Sequence, residues 1–367
     1  MTTRLRPRGQ FVLFSVFLAA ALQGQAAAPA TRLVHDTVHS AALEGNKYGD
    51  SPNRSVLVYL PPSYGSSPTK RYPVVYLLHG FTANELSWAR GYAGFDIGRS
   101  TDSLVAAGAV REMIIVMPNE RNRLLGSFYT NSSSAGGWED FTVAELVSYI
   151  DGKYRTLATP RSRGIAGHSM GGFGTLYLAM RHAGDVYGAA YALSACCTHF
   201  RMSADPGAAA AWGLVEDLAS LDDAKRLPFG ASVDLAMAAA FTPNPNRPPL
   251  FVDFPAERRD SSWRLMDEVA AKWTEHFPLD MIPRSADRLK RLAGFAFDIG
   301  TRDELVPPSQ LVTMDTALTR AGVPHTFETY DGTHTNGIGQ RIITKVLPFF
   351  SRTLEFGPSP TTGRNHQ

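Results

Sequence analysis

The stretch Gly167-His168-Ser169-Met170-Gly171-Gly172 reads G-x-S-x-G and decides how the rest of the chain is read. Upstream, Arg163-Gly164-Ile165-Ala166 is short and apolar enough for a buried strand. Downstream, residues 171–183 are rich in Leu, Ala and Met and predict a helix. A strand, a sharp turn and a helix are the context in which such a serine stands at the apex of a nucleophile elbow. The turn needs small residues on both sides of the serine. It lifts the hydroxyl into a cleft and sets the Met170 amide beside it at a helix N-terminus, where partial positive charge favours an oxyanion. Without that framing, the motif is only a glycine-rich turn that packs a helix on a strand.

The elements around this stretch alternate. Residues 54–60 (RSVLVYL) predict a strand stopped by Pro61-Pro62. Residues 73–78 (PVVYLL) and 113–117 (MIIVM) are continuous apolar runs, the signature of parallel strands buried on both faces. Further strands are expected over 188–194, 294–299 and 325–330, and helices over about 96–107, 138–154, 308–321 and 338–353. Residues 31–50 are polar, with Gly45 and Gly49, and read as an entry segment. Strands alternating with helices specify an α/β domain with a mostly parallel sheet and helices on both faces. The alternation breaks at residues 199–285, which hold Ala-rich pieces, a Pro/Asn run and a helical pattern over 262–276. This insertion is expected to form a mainly helical lid, because Trp212, Trp263 and Trp273 argue against a disordered linker.

The two ends read differently. Arg4, Arg6 and Arg8 precede a twelve-residue apolar run over 11–22, followed by small residues at 24–30. This is the pattern of a secretory signal peptide, expected to cover residues 1–28. The run is short for a membrane span, which needs about 20 apolar residues. No cysteine follows it to carry a lipid, so a secreted or periplasmic protein without a stable membrane anchor is expected. The hydrolytic domain would then cover 31–355, with a disordered tail over 356–367. The whole chain has 36 Lys+Arg and 34 Asp+Glu. Without the leader the balance is 33 against 34, so no basic surface argues for nucleic acid. The two cysteines, Cys196 and Cys197, are adjacent, which excludes a disulfide framework. They read as two small buried hydrophobes, with a vicinal disulfide as the minority alternative.

A serine hydroxyl needs a base, and the base needs an orienting acid. Ligands in open parallel sheets bind beyond the carboxyl ends of the strands. His79-Gly80, Ser169, Asp303 and His334 all fall at or just past such ends. Asp303, in the loop after the strand at 294–299, is the best acid; Asp298 lies inside the strand pattern and Glu304 ranks third. His334, past the last strand, is the best base. His168, inside the elbow, is expected to line the cleft. Phe81 N–H, from the loop after the strand at 73–78, and Met170 N–H are the expected oxyanion donors. Tyr129, Trp138 and Trp88 are candidates for an aromatic acyl pocket, with core packing as the alternative. No His/Cys/Asp cluster has metal-ligand spacing, so neither metal nor organic cofactor is expected.

At these residues the chain resembles the esterase D-like branch of the α/β-hydrolases, which holds feruloyl and other carbohydrate esterases, S-formylglutathione hydrolases, enterochelin esterases and mycolyltransferases. The resemblance covers about 50–198 and 290–352. It rests on Tyr76-Leu77-Leu78-His79-Gly80 with Trp88 beyond, Ser127-Phe128-Tyr129, Trp138-Glu139, Glu145-Leu146 through Tyr154-Arg155, and above all residues 163–172. It implies the α/β-hydrolase fold, a triad of Ser169, Asp303 and His334, and oxyanion donors at Phe81 and Met170. Many relatives follow the histidine with tryptophan, where this chain has Thr335-Asn336, and the insertion at 199–285 lies outside the common core. The expected activity is hydrolysis of feruloyl, acetyl or other carbohydrate-linked esters. Acyl transfer to an alcohol would use the same triad, and a non-catalytic binding protein would need a broken one.

Overall fold

The computed structural model describes residues 33–91, 95–199, 212–260 and 262–357. The expected leader, and the expected tail beyond 357, lie outside the described residues. The all-apolar runs expected to be central strands are central. Strands β3 (Val74–Leu78), β4 (Ile114–Pro118), β7 (Arg163–His168) and β8 (Ala189–Leu193) are buried at every position. With β1 (Leu33–His39), β2 (Asn53–Tyr59), β11 (Gly294–Gly300) and β12 (Thr326–Tyr330) they form one eight-stranded sheet in the order β1-β2-β4-β3-β7-β8-β11-β12, while the two-residue strands β5 (Asn131–Ser132) and β6 (Gly136–Gly137) pair antiparallel outside it. From β4 to β12 all neighbours are parallel, and β1 and β2 close one edge antiparallel.

Successive side chains of a strand point to opposite faces, and two separate apolar clusters follow from this. Val74, Tyr76, Leu78 and Ile165 belong to one, Val75, Leu77 and Ala166 to the other. The second cluster is covered by α1 (Ile97–Ala106) and α8 (Leu347–Thr353). The first is covered by α2 (Leu146–Lys153), α3 (Met170–His182) and α7 (Pro308–Arg320). The molecule is thus the three-layer α/β-hydrolase sandwich.

Several expectations change. The entry segment contains β1, whose alternating Leu33-Val34-His35-Asp36-Thr37-Val38-His39 buries only Asp36 and Val38 as an edge strand on β2. The helices expected over 138–154 and 338–353 each pass through a π-helical turn, Phe141–Glu145 and Ile342–Val346. The helical pattern expected to start at 262 begins instead with a strand. Ala256–Arg259 (β9) and Ser262–Leu265 (β10) form a hairpin, and the helix α5 covers only Asp267–Thr274.

In the insertion, α4 (Phe229–Phe241) and α6 (Pro278–Leu289) carry the packing. Leu235, Ala239, Phe241, Trp273, Phe277 and Met281 join the same apolar cluster as the sheet. Trp273 Nε1 donates to Thr242 Oγ1 at 2.8 Å, so the indole ties α5 to the end of α4. The described part of the insertion is therefore built into the core. Leu214, Leu265 and, at the start of α4, Phe229 stand out from it, Phe229 being 52% exposed.

Candidate active site

Ser169 links β7 to α3 with φ 58° and ψ −117°, a backbone conformation that costs of order 1–3 kcal/mol and is kept only where its surroundings impose it. They do so here. Its N–H donates to Leu193 O (3.0 Å), and its carbonyl accepts from Phe173 N (2.8 Å) and Cys196 N (3.3 Å). The flanking glycines are needed for space. A Cβ on Gly167 would lie 2.3 Å from Gly171 O, and one on Gly171 would lie 2.3 Å from Leu78 O. A side chain at either position would push the backbone of the turn or of β3 out of place. Met170 is the first residue of α3, so its amide has no acceptor within the helix.

The loop after β3 lies against this turn: a Cβ on Gly80 would come within 3.4 Å of Ser169 Cβ. Its shape is set by His79. Glu120 N–H donates to His79 Nε2 at 2.9 Å, so Nε2 is the acceptor nitrogen and Nδ1–H donates to Gly80 O at 2.8 Å. Burial pushes the imidazole down to about 4, which keeps it neutral. Tyr129 Oη donates to His79 O at 2.8 Å.

The loops after β11 and β12 bring Asp303 and His334 together. His334 Nδ1 lies 3.0 and 2.9 Å from the two carboxylate oxygens of Asp303. Asp303 Oδ1 also accepts from Leu305 N (3.0 Å) and Val306 N (2.8 Å). Burial works to raise the Asp303 pKa, but the hydrogen bonds from His334 and these two amides prevail and hold the carboxyl below its usual range. The His334 backbone is clamped on both sides. Its N–H donates to Glu304 Oε2 at 3.0 Å, and its carbonyl accepts from His168 Nε2 at 2.8 Å. The loops that carry acid and base are joined by Thr301 N to Tyr330 O (2.8 Å) and Arg302 N to Gly332 O (2.9 Å).

Ser169 and His334 share the wall of a cavity of about 240 Å³. Phe81, Phe128, Phe229, Val233, Leu305 and Val306 make most of its lining apolar, and Cys196, Cys197, His199 and Gln310 complete it. A Ser hydroxyl and an imidazole oriented by a carboxylate, facing an apolar cavity, can perform acyl transfer. Among the described residues no group of three or more His, Cys, Asp or Glu side chains is placed to hold a metal ion.

Four expectations for this region are corrected. Trp88, Tyr129 and Trp138 are all 0% exposed and pack in the core, away from the cavity lining. Trp138 Nε1 donates to Ala135 O, and Tyr129 braces the loop after β3 through its hydroxyl. His168 is 2% exposed and does not line the cleft. Its ring lies 4.7 Å from that of His334 and supports the His334 carbonyl. Burial first, and then the neighbouring His334, push its pKa down to about 3. Of the lesser acids, Asp298 is buried under Arg341 and Tyr191, and Glu304 holds a backbone amide. Sequence reasoning missed the aromatic wall of Phe128 and Phe229, and the clamp of Glu304 and His168 on His334. Adjacency to the motif residues was the only available signal for His168 and Glu304.

The family model described as "Putative esterase" matches residues 51–339. The chain belongs to the putative esterase family. By family it is thus a serine esterase of the α/β-hydrolase fold. Among curated relatives it is 35% identical over 128 residues to an endo-1,4-beta-xylanase/feruloyl esterase of Xylanibacter ruminicola, a match covering 34% of this chain and 17% of that one. It is 37% identical over 136 residues to an esterase of Mycobacterium tuberculosis, covering 36% of this chain and 27% of the relative. The esterase thus spans under a third of the length of either curated relative. Among solved structures, a ferulic acid esterase superposes with a TM-score of 0.61 at 26% identity, covering 88% of this chain and 98% of that one. An S-formylglutathione hydrolase from Agrobacterium tumefaciens shares the fold, with a TM-score of 0.58 at 16% identity over 88% of this chain and 95% of its own.

Proposed function

We propose that this esterase is a secreted hydrolase of phenolic or acetyl esters, carbohydrate-linked ones included, acting through Ser169, His334 and Asp303. The observation that carries the reading is the paired hydrogen bond between His334 Nδ1 and Asp303, on an imidazole that shares the cavity wall with Ser169. A carboxylate on Nδ1 keeps the proton there and leaves Nε2 as the basic nitrogen. His334 takes the Ser169 proton as the hydroxyl attacks the ester carbonyl. The Phe81 and Met170 amides receive the developing oxyanion, each worth roughly 2.7–4 kcal/mol in the transition state. His334 then protonates the departing alcohol. Water, deprotonated by the same imidazole, releases the acid from Ser169.

The substrate class is supported by the apolar lining around Phe81, Phe128 and Phe229 and by two relatives whose names carry feruloyl or ferulic acid esterase. Export is supported by the charged, apolar and small-residue segments of residues 1–28. The test is Ser169→Ala assayed on p-nitrophenyl acetate, with thermal unfolding as the control. Turnover is expected to fall to the uncatalysed background while the unfolding temperature is kept. Turnover retained by a folded variant would refute the assignment. Initial rates on acetyl, long-chain acyl and feruloyl esters then rank the substrates.

A further inference from the structure

Cys196 and Cys197 follow β8 and stand on the wall of the same cavity as Ser169 and His334. Both are half-buried free thiols, reachable from the cavity. Cys197 Sγ donates to Cys196 Sγ at 2.8 Å, so the two sulfurs already face each other. The backbone that carries them is tightly held. Ser194 and Cys197 have φ of 40° and 56°, in the region that side chains disfavour. Cys196 N–H donates to the Ser169 carbonyl, and the Ala195 Cα lies where a Cβ on Gly172, in the first turn of α3, would come within 2.8 Å. Beyond the pair, the Thr198 carbonyl accepts from Leu279 N at 2.8 Å. The dithiol is thus braced against the turn that presents Ser169.

We propose that Cys196 and Cys197 form a modification site for small disulfides, closed to a vicinal disulfide that switches ester hydrolysis off. The coupling to hydrolysis rests on the function proposed above; the thiol chemistry does not. The Cys196 thiol loses its proton and attacks one sulfur of a small disulfide, expelling the other half as a thiolate. Cys197 then gives its proton to that thiolate and attacks Cys196 Sγ. The sulfur–sulfur bond of the protein forms, and the second half leaves as a thiol after taking up the first proton. One disulfide is reduced to two thiols and the dithiol is oxidised, so electrons and protons balance. The Cys197 thiol keeps its proton until that second step, because its hydrogen bond to Cys196 and its burial hold its pKa well above the usual thiol range. Closure makes a small ring through the peptide joining the two residues and must turn that peptide. The turning peptide adjoins the Cys196 N–H that holds the Ser169 carbonyl, and both sulfurs shift in the cavity wall. Displacement of a reacting group by an ångström can cost about 10²-fold in rate.

The experiment treats the purified full chain with a dipyridyl disulfide and reads released thiopyridone, intact mass, oligomeric state and ester hydrolysis. Two equivalents of thiopyridone are expected from a monomer that ends lighter by two hydrogens and keeps no pyridyl group. Hydrolysis falls at least about tenfold and returns with a dithiol reductant. Cys197→Ser releases one equivalent and keeps one pyridyl group. In the double variant Cys196→Ser/Cys197→Ser, the rates with and without reagent are equal. The inference is overturned if each sulfur of the native chain keeps its own pyridyl group, if the bond forms between two chains, if the pair closes without slowing hydrolysis, or if the double variant is inhibited equally. A reduced chain that closes its dithiol but hydrolyses no ester would refute the proposed function, and with it the switch, while leaving the modification site in place.

Discussion

Asp303→Asn changes one atom and should cost almost all of the activity, for a reason that lies in the hydrogen bonds around it. Asp303 Oδ1 is tied to two backbone donors, Leu305 N and Val306 N, at 3.0 and 2.8 Å. An asparagine must keep its oxygen there, because an NH₂ group would face two N–H groups. Its NH₂ therefore takes the place of Oδ2, 2.9 Å from His334 Nδ1. A donor at that site makes Nδ1 the acceptor and moves the imidazole proton to Nε2. The ring then has no basic nitrogen for the Ser169 hydroxyl, and the expected loss in kcat is about 10⁴-fold, or about 5 kcal/mol. The assay is the steady-state rate on p-nitrophenyl acetate, with thermal unfolding and near-ultraviolet circular dichroism to show that the fold is kept. A folded Asp303→Asn variant within tenfold of the native rate would refute the reasoning, because the Asp303 contact would then not control the proton on His334.

Other expectations follow from the surroundings of the site. Glu120 is fully buried, and burial lifts its pKa from 4.5 to about 7 against the hydrogen bonds from Thr142 and Ser127. The contribution of a carboxyl raised in this way is present below its unfolded pKa and is lost as pH rises through the folded one. Glu120→Gln removes that loss, so its stability relative to the native chain should rise by about 3 kcal/mol between pH 4 and pH 8; urea unfolding at both pH values measures it, and a constant difference would contradict it. Gly171→Ala places a Cβ 2.3 Å from Leu78 O and 2.8 Å from His79 O, both backbone atoms. It should destabilise by about 1–3 kcal/mol and slow hydrolysis by about 10²-fold by pushing the loop after β3 away from Ser169, read as melting temperature and kcat/KM. Phe229 packs edge-on to Phe81 at 5.8 Å while remaining half exposed. Phe229→Ala should cost at most about 1.5 kcal/mol of stability yet raise KM for a feruloyl ester more than for an acetyl ester; equal effects on both would remove Phe229 from the acyl wall.

The legible parts of the molecule are those where one residue type admits one physical solution. Val74–Leu78 and Ile114–Pro118 have no polar face, so a strand buried on both sides is their only short solution. Gly167 and Gly171 mark contacts in which no Cβ fits without displacing backbone, which is why the motif, read with a strand before it and a helix after it, placed the elbow. The order of Ser169, Asp303 and His334 placed each just past a strand end, and there Asp303 and His334 meet. The less legible parts depend on neighbours remote in sequence. Leu33–His39 buries two side chains in seven, and its strand exists because β2 offers an edge. Ala256–Arg259 carries three charged residues and is a strand only through its hairpin partner.

The aromatic residues near the motifs were the least readable. Phe128 faces the cavity and the adjacent Tyr129 does not, and both have positive φ, so strand alternation gives no guide to which ring points where. His168 ends β7 on the same face as Ala166, and its imidazole reaches across to the His334 carbonyl, a contact remote in sequence.

Everything proposed for the chemistry requires Ser169 to be the nucleophile. Its most direct test is to label the purified full chain with a fluorophosphonate and locate the adduct by peptide mass spectrometry. One adduct per chain is expected, on Ser169, formed much more slowly in the folded Asp303→Asn variant. No adduct, or an adduct on any other residue, would contradict it.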